Sequence, residues 1–208
     1  MKRTAIRKKY YEYVLEKKKA PASLKAFLKF AGLDKAAFKT KYDKLCDVEA
    51  DIWKNSFLEA LNSLKTSAEF SAYTCRDKGL AMMYTWFEFM DLNKSFFKHC
   101  NILQAPLLPC HLLSFKKETK KFIKSILKQG FRSEEFKDRS IPAKQLANFF
   151  WSLFLVNLKS WNGKKPKKKN EEWMDAMIEK SMLFFFDSMA PNLFDTFLDM
   201  LKHKRSGK

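Results

Sequence analysis

Residues 20–53 read APASLKAFLKFAGLDKAAFKTKYDKLCDVEADIW, and the punctuation of this stretch decides the fold. Ser23 is a strong N-cap residue, and Leu24, Phe27 and Leu28 behind it share one side of a short helix. Gly32 supplies the tight turn that ends it. Asp34 then caps a further short helix through Ala36, Ala37 and Phe38 to about Lys41. Upstream, Ile6, Tyr10, Tyr13 and Val14 follow i, i+4, i+7, i+8 spacing, which predicts an amphipathic helix over Thr4–Lys17. Lys17, Lys18 and Lys19 end it, and Pro21 breaks the chain. Downstream, Val48, Ile52, Phe57, Leu58 and Leu61 mark a longer helix from Leu45 to about Leu64. A longer helix followed by two short ones joined through Gly-Leu-Asp has helix-turn-helix proportions.

The rest of the chain repeats the helical theme. Of 208 residues, 46% are hydrophobic and 15% aromatic, which excludes global disorder, while five glycines and six prolines are too few to punctuate a many-stranded sheet. Helices are predicted over Phe70–Met90, Leu92–Cys100, His111–Gly130, Ala143–Trp161 and Glu171–Met189, with a last one from Pro191 to about His203. Gln104–Pro109 is a proline-bearing connection, and Phe131–Ser140 reads as a polar linker. The expectation is an all-α chain of about ten helices, with a three-helix N-terminal head and a C-terminal helical body. No internal repeat is visible. Apolar runs such as Leu153–Leu158 fall short of the roughly 20 residues that span a bilayer, and the basic N-terminus has no apolar h-region. A soluble, cytoplasmic protein without a membrane span is expected.

Catalytic chemistry has little to build on. No phosphate-cradling glycine loop, HExxH or GxSxG string occurs, so the chain is not expected to be an enzyme or to carry a cofactor. Cys46, Cys75, Cys100 and Cys110 include no CxxC pair and read as reduced thiols. His99-Cys100 and Cys110-His111 offer two Cys and two His, but the spacing is not a recognised zinc pattern, so no metal is expected.

Charge is unevenly placed. Residues 1–45 hold 14 Lys or Arg against 4 acids, whereas residues 46–208 hold 27 against 19. Nine of those 27 cations lie in KKPKKK (164–169) and in Lys202, Lys204, Arg205 and Lys208. Without them the body is nearly neutral. A basic head on a neutral, aromatic-rich body suggests that the head meets a polyanion.

The 20–53 stretch resembles the DNA-binding region of the tetracycline-repressor (TetR) family. Its usual form opens helix two with Thr or Ser, turns through Ala-Gly-apolar-Ser, and closes the recognition helix with an aromatic residue. Ser23, Ala31, Gly32, Leu33, Asp34, Phe38 and Tyr42 fall on those positions in register. KKYYEYVLEKKKAPAS at the start and Trp53 are similar to a divergent bacterial branch of the family. Three positions depart from the pattern. Lys39 stands where a Tyr is usual, Leu45 where a Lys opens helix four, and Ala36-Ala37 where Gly-Thr is frequent.

The resemblance implies a helix-turn-helix DNA-binding domain at 1–45 and a ligand-binding, dimerising domain at 46–208. A recognition helix needs base-reading side chains on one face and phosphate partners at its flanks. Lys35, Lys39, Thr40, Lys41, Tyr42 and Lys44 are the candidates on or beside it, with Ser23 and Lys25 facing phosphate from helix two. Lys2, Arg3 and Arg7 add an N-terminal arm. The helix holds no Arg, Asn or Gln, the usual bidentate readers of guanine and adenine.

In the body, the resemblance implies a ligand cavity among the C-terminal helices. Met83, Trp86, Phe87, Phe97, Phe122, Phe150 and Phe154 are the candidates for its wall, alongside plain core packing. Polar groups converge sparsely there, so the effector is expected to be apolar. The same resemblance implies a homodimer formed by the two late helices, with Trp151, Leu155, Leu158, Met174, Ile178 and Met182 as candidates. Together these imply a one-component transcriptional regulator whose partners are a double-stranded DNA operator and an apolar effector. The alternative is a lipid or hydrophobe carrier on the same fold that has lost specific DNA binding.

Overall fold

In the computed structural model, which describes residues 2–99, 112–138, 141–162 and 171–190, the apolar periodicities become nine α-helices, with no strand among the described residues. The first four are α1 (Arg3–Lys17), α2 (Leu24–Ala31), α3 (Lys35–Lys39) and α4 (Leu45–Thr66). A 3-10 turn at Glu69–Ser71 leads to α5 (Cys75–Leu92) and α6 (Lys94–Phe97). The body is completed by α7 (Leu112–Arg132), α8 (Ala143–Asn162) and α9 (Glu171–Asp187). The predicted last helix from Pro191, the lysine loop at 164–169 and the proline connection lie outside the described residues.

Local chemistry builds the head. The Ser23 hydroxyl accepts the Ala26 N–H at 3.2 Å and the Asp34 carboxylate accepts that of Ala37 at 2.7 Å, so both short helices are capped as their sequences predict. Gly32 sits at φ +63, and its N–H and that of Leu33 both go to the Leu28 carbonyl. An L side chain there is strained, which is why glycine marks this turn. Tyr10, Phe27 and Phe38, all fully buried, interlock α1, α2 and α3, with ring centroids 5.5 and 6.2 Å apart. Each such ring contributes roughly 1.5–3 kcal/mol by leaving water.

The 22 residues of α4 make a rod of roughly 33 Å that belongs to both halves. Near its start it meets α1, and farther along it buries Trp53, Phe57 and Leu61 against α5 and α7. The body core is aromatic. Trp86 lies 5.0 Å from Phe115 and 4.9 Å from Phe154, and its indole N–H donates to Ser56 at 3.3 Å. In the outer layer, α8 and α9 pack on α7 and α5 respectively, and on each other.

Some expectations are corrected. The helix predicted from Phe70 begins at Cys75. Thr74 caps it, and the Glu135 carboxylate accepts the N–H groups of Cys75 at 2.9 Å and Arg76 at 3.1 Å. The segment after Gly130 is less of a linker than its polarity suggests. The helix continues to Arg132, and Phe136 buries itself against Gly130 and stacks 5.8 Å from Phe186. One aromatic in a polar run carries too little periodicity to reveal such an anchor. Cys75 is a free thiol, as expected, but Cys46 is disulfide-bonded, a pairing that sequence spacing gives no handle on.

Candidate nucleic-acid interface and the helical body

The head presents most of its candidate DNA contacts to solvent. Ser23, Lys25, Lys35, Lys39, Thr40, Lys41 and Lys44 are all exposed. Two of them are braced by backbone: the Lys39 ammonium donates to the Asp43 carbonyl at 2.6 Å and the Thr40 hydroxyl to that of Ala37 at 2.8 Å. At the start of α4, the Asp47 carboxylate accepts the Asp43 and Lys44 N–H groups at 3.0 and 2.7 Å, fixing the turn after α3.

Tyr42 is placed differently. Its ring is buried, with the Arg3 guanidinium 5.2 Å from its centroid, and its hydroxyl donates to Asp51 at 2.8 Å. Asp51 is the node of the head. It also accepts from Arg7 on α1 at 2.8 Å and from Asn55 at 3.0 Å, and pairs with Lys54 at 3.0 Å. Burial alone would raise its carboxyl, but the hydrogen bonds from Tyr42, Arg7 and Lys54 outweigh that and hold it down at about 2. Burial, and then the Asp51 bond, push the Tyr42 hydroxyl up, so it stays a neutral donor. Sequence reasoning overlooked Asp51, because an acid in an amphipathic helix reads as a solvated position.

Beside this node lies a polar cleft of about 450 Å³, bordered by Arg3, Lys39, Lys41, Lys54, Asp47 and, from α7, Ser114. It brings Arg3 of α1, Lys39 and Lys41 at the end of α3, Lys54 of α4 and three aspartates together with the first turn of α7.

The candidate cavity residues Met83, Trp86, Phe87, Phe97, Phe122, Phe150 and Phe154 are all buried. Their rings lie largely on one another and on Phe57, Phe115 and Trp151, as core residues do. Phe97 also borders a cleft of about 280 Å³ between α1, α4, α5 and α6, with Tyr11, Ile52 and Phe89 as apolar walls and Arg7, Lys8, Glu12 and Glu59 among its charged ones.

Four of the six candidate dimer residues face into the protomer. Trp151, Leu158, Ile178 and Met182 are buried inside the protomer, while Leu155 and Met174 are half-buried. Both helices are apolar over most of their circumference, so composition alone does not tell which stripe faces inward. The outward apolar stripe is formed by the exposed Val156 on α8 and Phe184 on α9, flanked by Phe149, Leu153 and Met177, which are half-buried like Leu155 and Met174. Phe184 is 62% and Val156 48% exposed, and the Phe149 and Phe184 rings meet edge to face at 5.7 Å.

Of His99, Cys100, Cys110 and His111, only His99 lies within the described residues, among which no group of three metal-ligating side chains occurs. Nor is any helix among them long and apolar enough to cross a membrane.

No curated protein sequence matches the chain. Several solved structures share its fold. A TetR-family structure from Syntrophomonas wolfei superimposes with a TM-score of 0.66 at 14% identity, over 88% of this chain and 92% of that one. A second, from Shewanella sp. PV-4, gives 0.60 at 14% identity, over 92% and 100% respectively. A TetR-family regulator from Marinobacter aquaeolei VT8 gives 0.52 at 15% identity, over 91% and 96%. The sequence profile described as tetracyclin repressor-like, C-terminal domain, matches residues 78–203. With more than half of its length under that profile and its helices in the same arrangement, the chain belongs to the tetracycline-repressor-like family.

Proposed function

We propose that the protein is a one-component transcriptional regulator, with residues 1–45 as its operator-binding head and residues 46–208 as its effector-binding and dimerising domain. The observation that carries this reading is the capped α2–Gly32–α3 unit, which holds Lys35, Lys39, Thr40 and Lys41 on an exposed, net basic surface. Lysines there provide affinity through counterion release. A homodimer matches a two-fold operator, and the outward apolar stripe of α8 and α9 is the surface that supports it. The effector is apolar, in keeping with the Met83, Trp86 and Phe154 region of the core, and the 280 Å³ cleft beside Phe97 offers room next to it. Ligand there bears on both α1 and α4, so its binding is coupled to head position.

A second reading keeps the fold and drops the operator. The five-residue α3 carries no Arg, Asn or Gln, which favours a hydrophobe carrier whose head meets polyanions without sequence preference. Selection from random duplex DNA separates the two. A regulator enriches one palindromic sequence, and Lys39→Ala weakens binding to it by roughly 1–3 kcal/mol and relaxes preference at one position. A selected sequence bound no tighter than its scrambled version at physiological salt decides for the carrier.

A further inference from the structure

The near-neutral charge of the body hides a strongly cationic helix. Within its 21 residues α7 carries Lys116, Lys117, Lys120, Lys121, Lys124 and Lys128, then Arg132, against one acid, Glu118. Lys117, Lys121, Lys124 and Lys128 recur at i, i+4, i+7 and i+11, so they fall within about 60° of arc and span roughly 16 Å of axis. All four are exposed. The opposite side of α7 buries Phe115, Phe122, Ile123, Ile126 and Leu127, which fixes the orientation of the lysine row.

Among the described residues, none of these lysines forms an ion pair. Lys116 lies over the Trp151 ring at 5.9 Å. Burial, and then the charges of Lys116, Lys124 and Lys144, hold the Lys120 ammonium below its ordinary value. Like charges at i, i+4 destabilise an isolated helix by a few tenths of a kcal/mol each, and a surface that serves only solubility intersperses acids. The row also has a place to start. Ser114 in the first turn of α7 lines the same cleft as Arg3, Lys39, Lys41 and Lys54, which Asp43, Asp47 and Asp51 also line, so the row begins beside the cations of the head.

We propose that α7 is a second phosphate track, which holds the backbone of duplex DNA along the side of the body independently of base sequence. Between Lys117 and Lys128 the exposed positions hold only lysine and Ser125, and the one large exposed apolar side chain of α7, Leu113 in its first turn, is too little to anchor a protein partner or enter a bilayer. A duplex carries one negative charge per about 1.7 Å of axis and asks only for cations at the right height. The proposal deepens the DNA-binding reading of the head, but it concerns sequence-independent contacts and is tested on them.

The test uses the full chain and a fluorescein-labelled duplex of random sequence, titrated from about 50 to 200 mM salt. The variant replaces Lys117→Gln, Lys121→Gln, Lys124→Gln and Lys128→Gln together. The salt slope is expected to flatten by about 3 to 4, at roughly 0.9 for each phosphate that is no longer neutralised, with affinity reduced about tenfold or more at low salt. The melting temperature stays the same or rises, because only exposed, mutually repelling groups change. If the fourfold variant melts early, Lys121→Gln with Lys128→Gln takes its place and half the slope change is expected. Wild-type slope and affinity in the variant overturn the proposal. They do so whether or not a selected sequence outcompetes a scrambled one, which is the separate test of the head. Vesicles containing phosphatidylserine serve as the parallel probe. Vesicle binding that the variant loses while its duplex slope is unchanged also overturns the proposal, in favour of a membrane.

Discussion

Replacing Asp51 with Asn removes the charge on which α1, the end of the recognition unit and α4 converge. In the native chain its carboxylate accepts from Arg7 and Tyr42 at 2.8 Å each and pairs with Lys54 at 3.0 Å, and its side chain is only 8% exposed. A carboxyl held at about 2, against an ordinary value of 3.8, contributes roughly 2 kcal/mol of stability at neutral pH. Asn keeps the shape and one acceptor, so the loss at pH 7 is expected to be close to that figure. For a chain of this size it corresponds to a fall in melting temperature of about 4–8 °C. Asp51→Ala costs more, about 3–5 kcal/mol, because Arg7 and the buried Tyr42 hydroxyl lose their partner outright. The pH dependence carries the sign. A depressed carboxyl stabilises the fold above its unfolded value, and that stabilisation is lost as pH falls from about 4 to about 2. Urea denaturation of both proteins at pH 7 and along a descending pH series is the assay. The stability gap between native protein and Asp51→Asn closes on acidification. A gap of less than half a kcal/mol at pH 7, or one that persists unchanged to pH 2, refutes the assignment of Asp51 as the node of the head.

Other outcomes follow from particular contacts. Light scattering of the native chain is expected to give a dimer near twice 24.6 kDa, and Phe184→Lys, at the most exposed side chain of the outward stripe (62%), to shift it to monomer without lowering its helical content. A native chain that is monodisperse as monomer at micromolar concentration sinks that interface. Gly32→Ala meets no atom within 4 Å, so its cost is purely that of an L residue at φ +63, about 1–2 kcal/mol by chemical denaturation. Gly79→Ala places a Cβ 2.6 Å from the Phe186 ring, and the α5–α9 interface is expected to be weakened by about 1–3 kcal/mol on repacking. If it is instead neutral, the α5–α9 packing is looser than this close approach implies.

Sequence alone determined what depends on neighbours in the chain. Ser23, Gly32 and Asp34 act within three or four residues of themselves, through caps and one left-handed turn, so the recognition unit was legible residue by residue. The buried face of α1, Ile6, Tyr10, Tyr13 and Val14, was equally plain, because a 3.6-residue period is a property of the helix itself. The lysine row of α7 is legible in the same letters by its spacing, but averaging charge over the whole body gave it no role. Tertiary structure decided what depends on groups far apart. Glu135 sets the start of α5 from 60 residues away, and Phe136 fills the space that Gly130 leaves open. Asp51 becomes a node only where Arg7, 44 residues upstream, folds onto it. The late helices make the point most sharply. Trp151 and Val156 belong to one helix with apolar residues nearly all round, and only the positions of α7 and α9 choose which of them is buried. Hydrophobicity acts without direction, so a helix that is apolar on every side gets its facing from its neighbours.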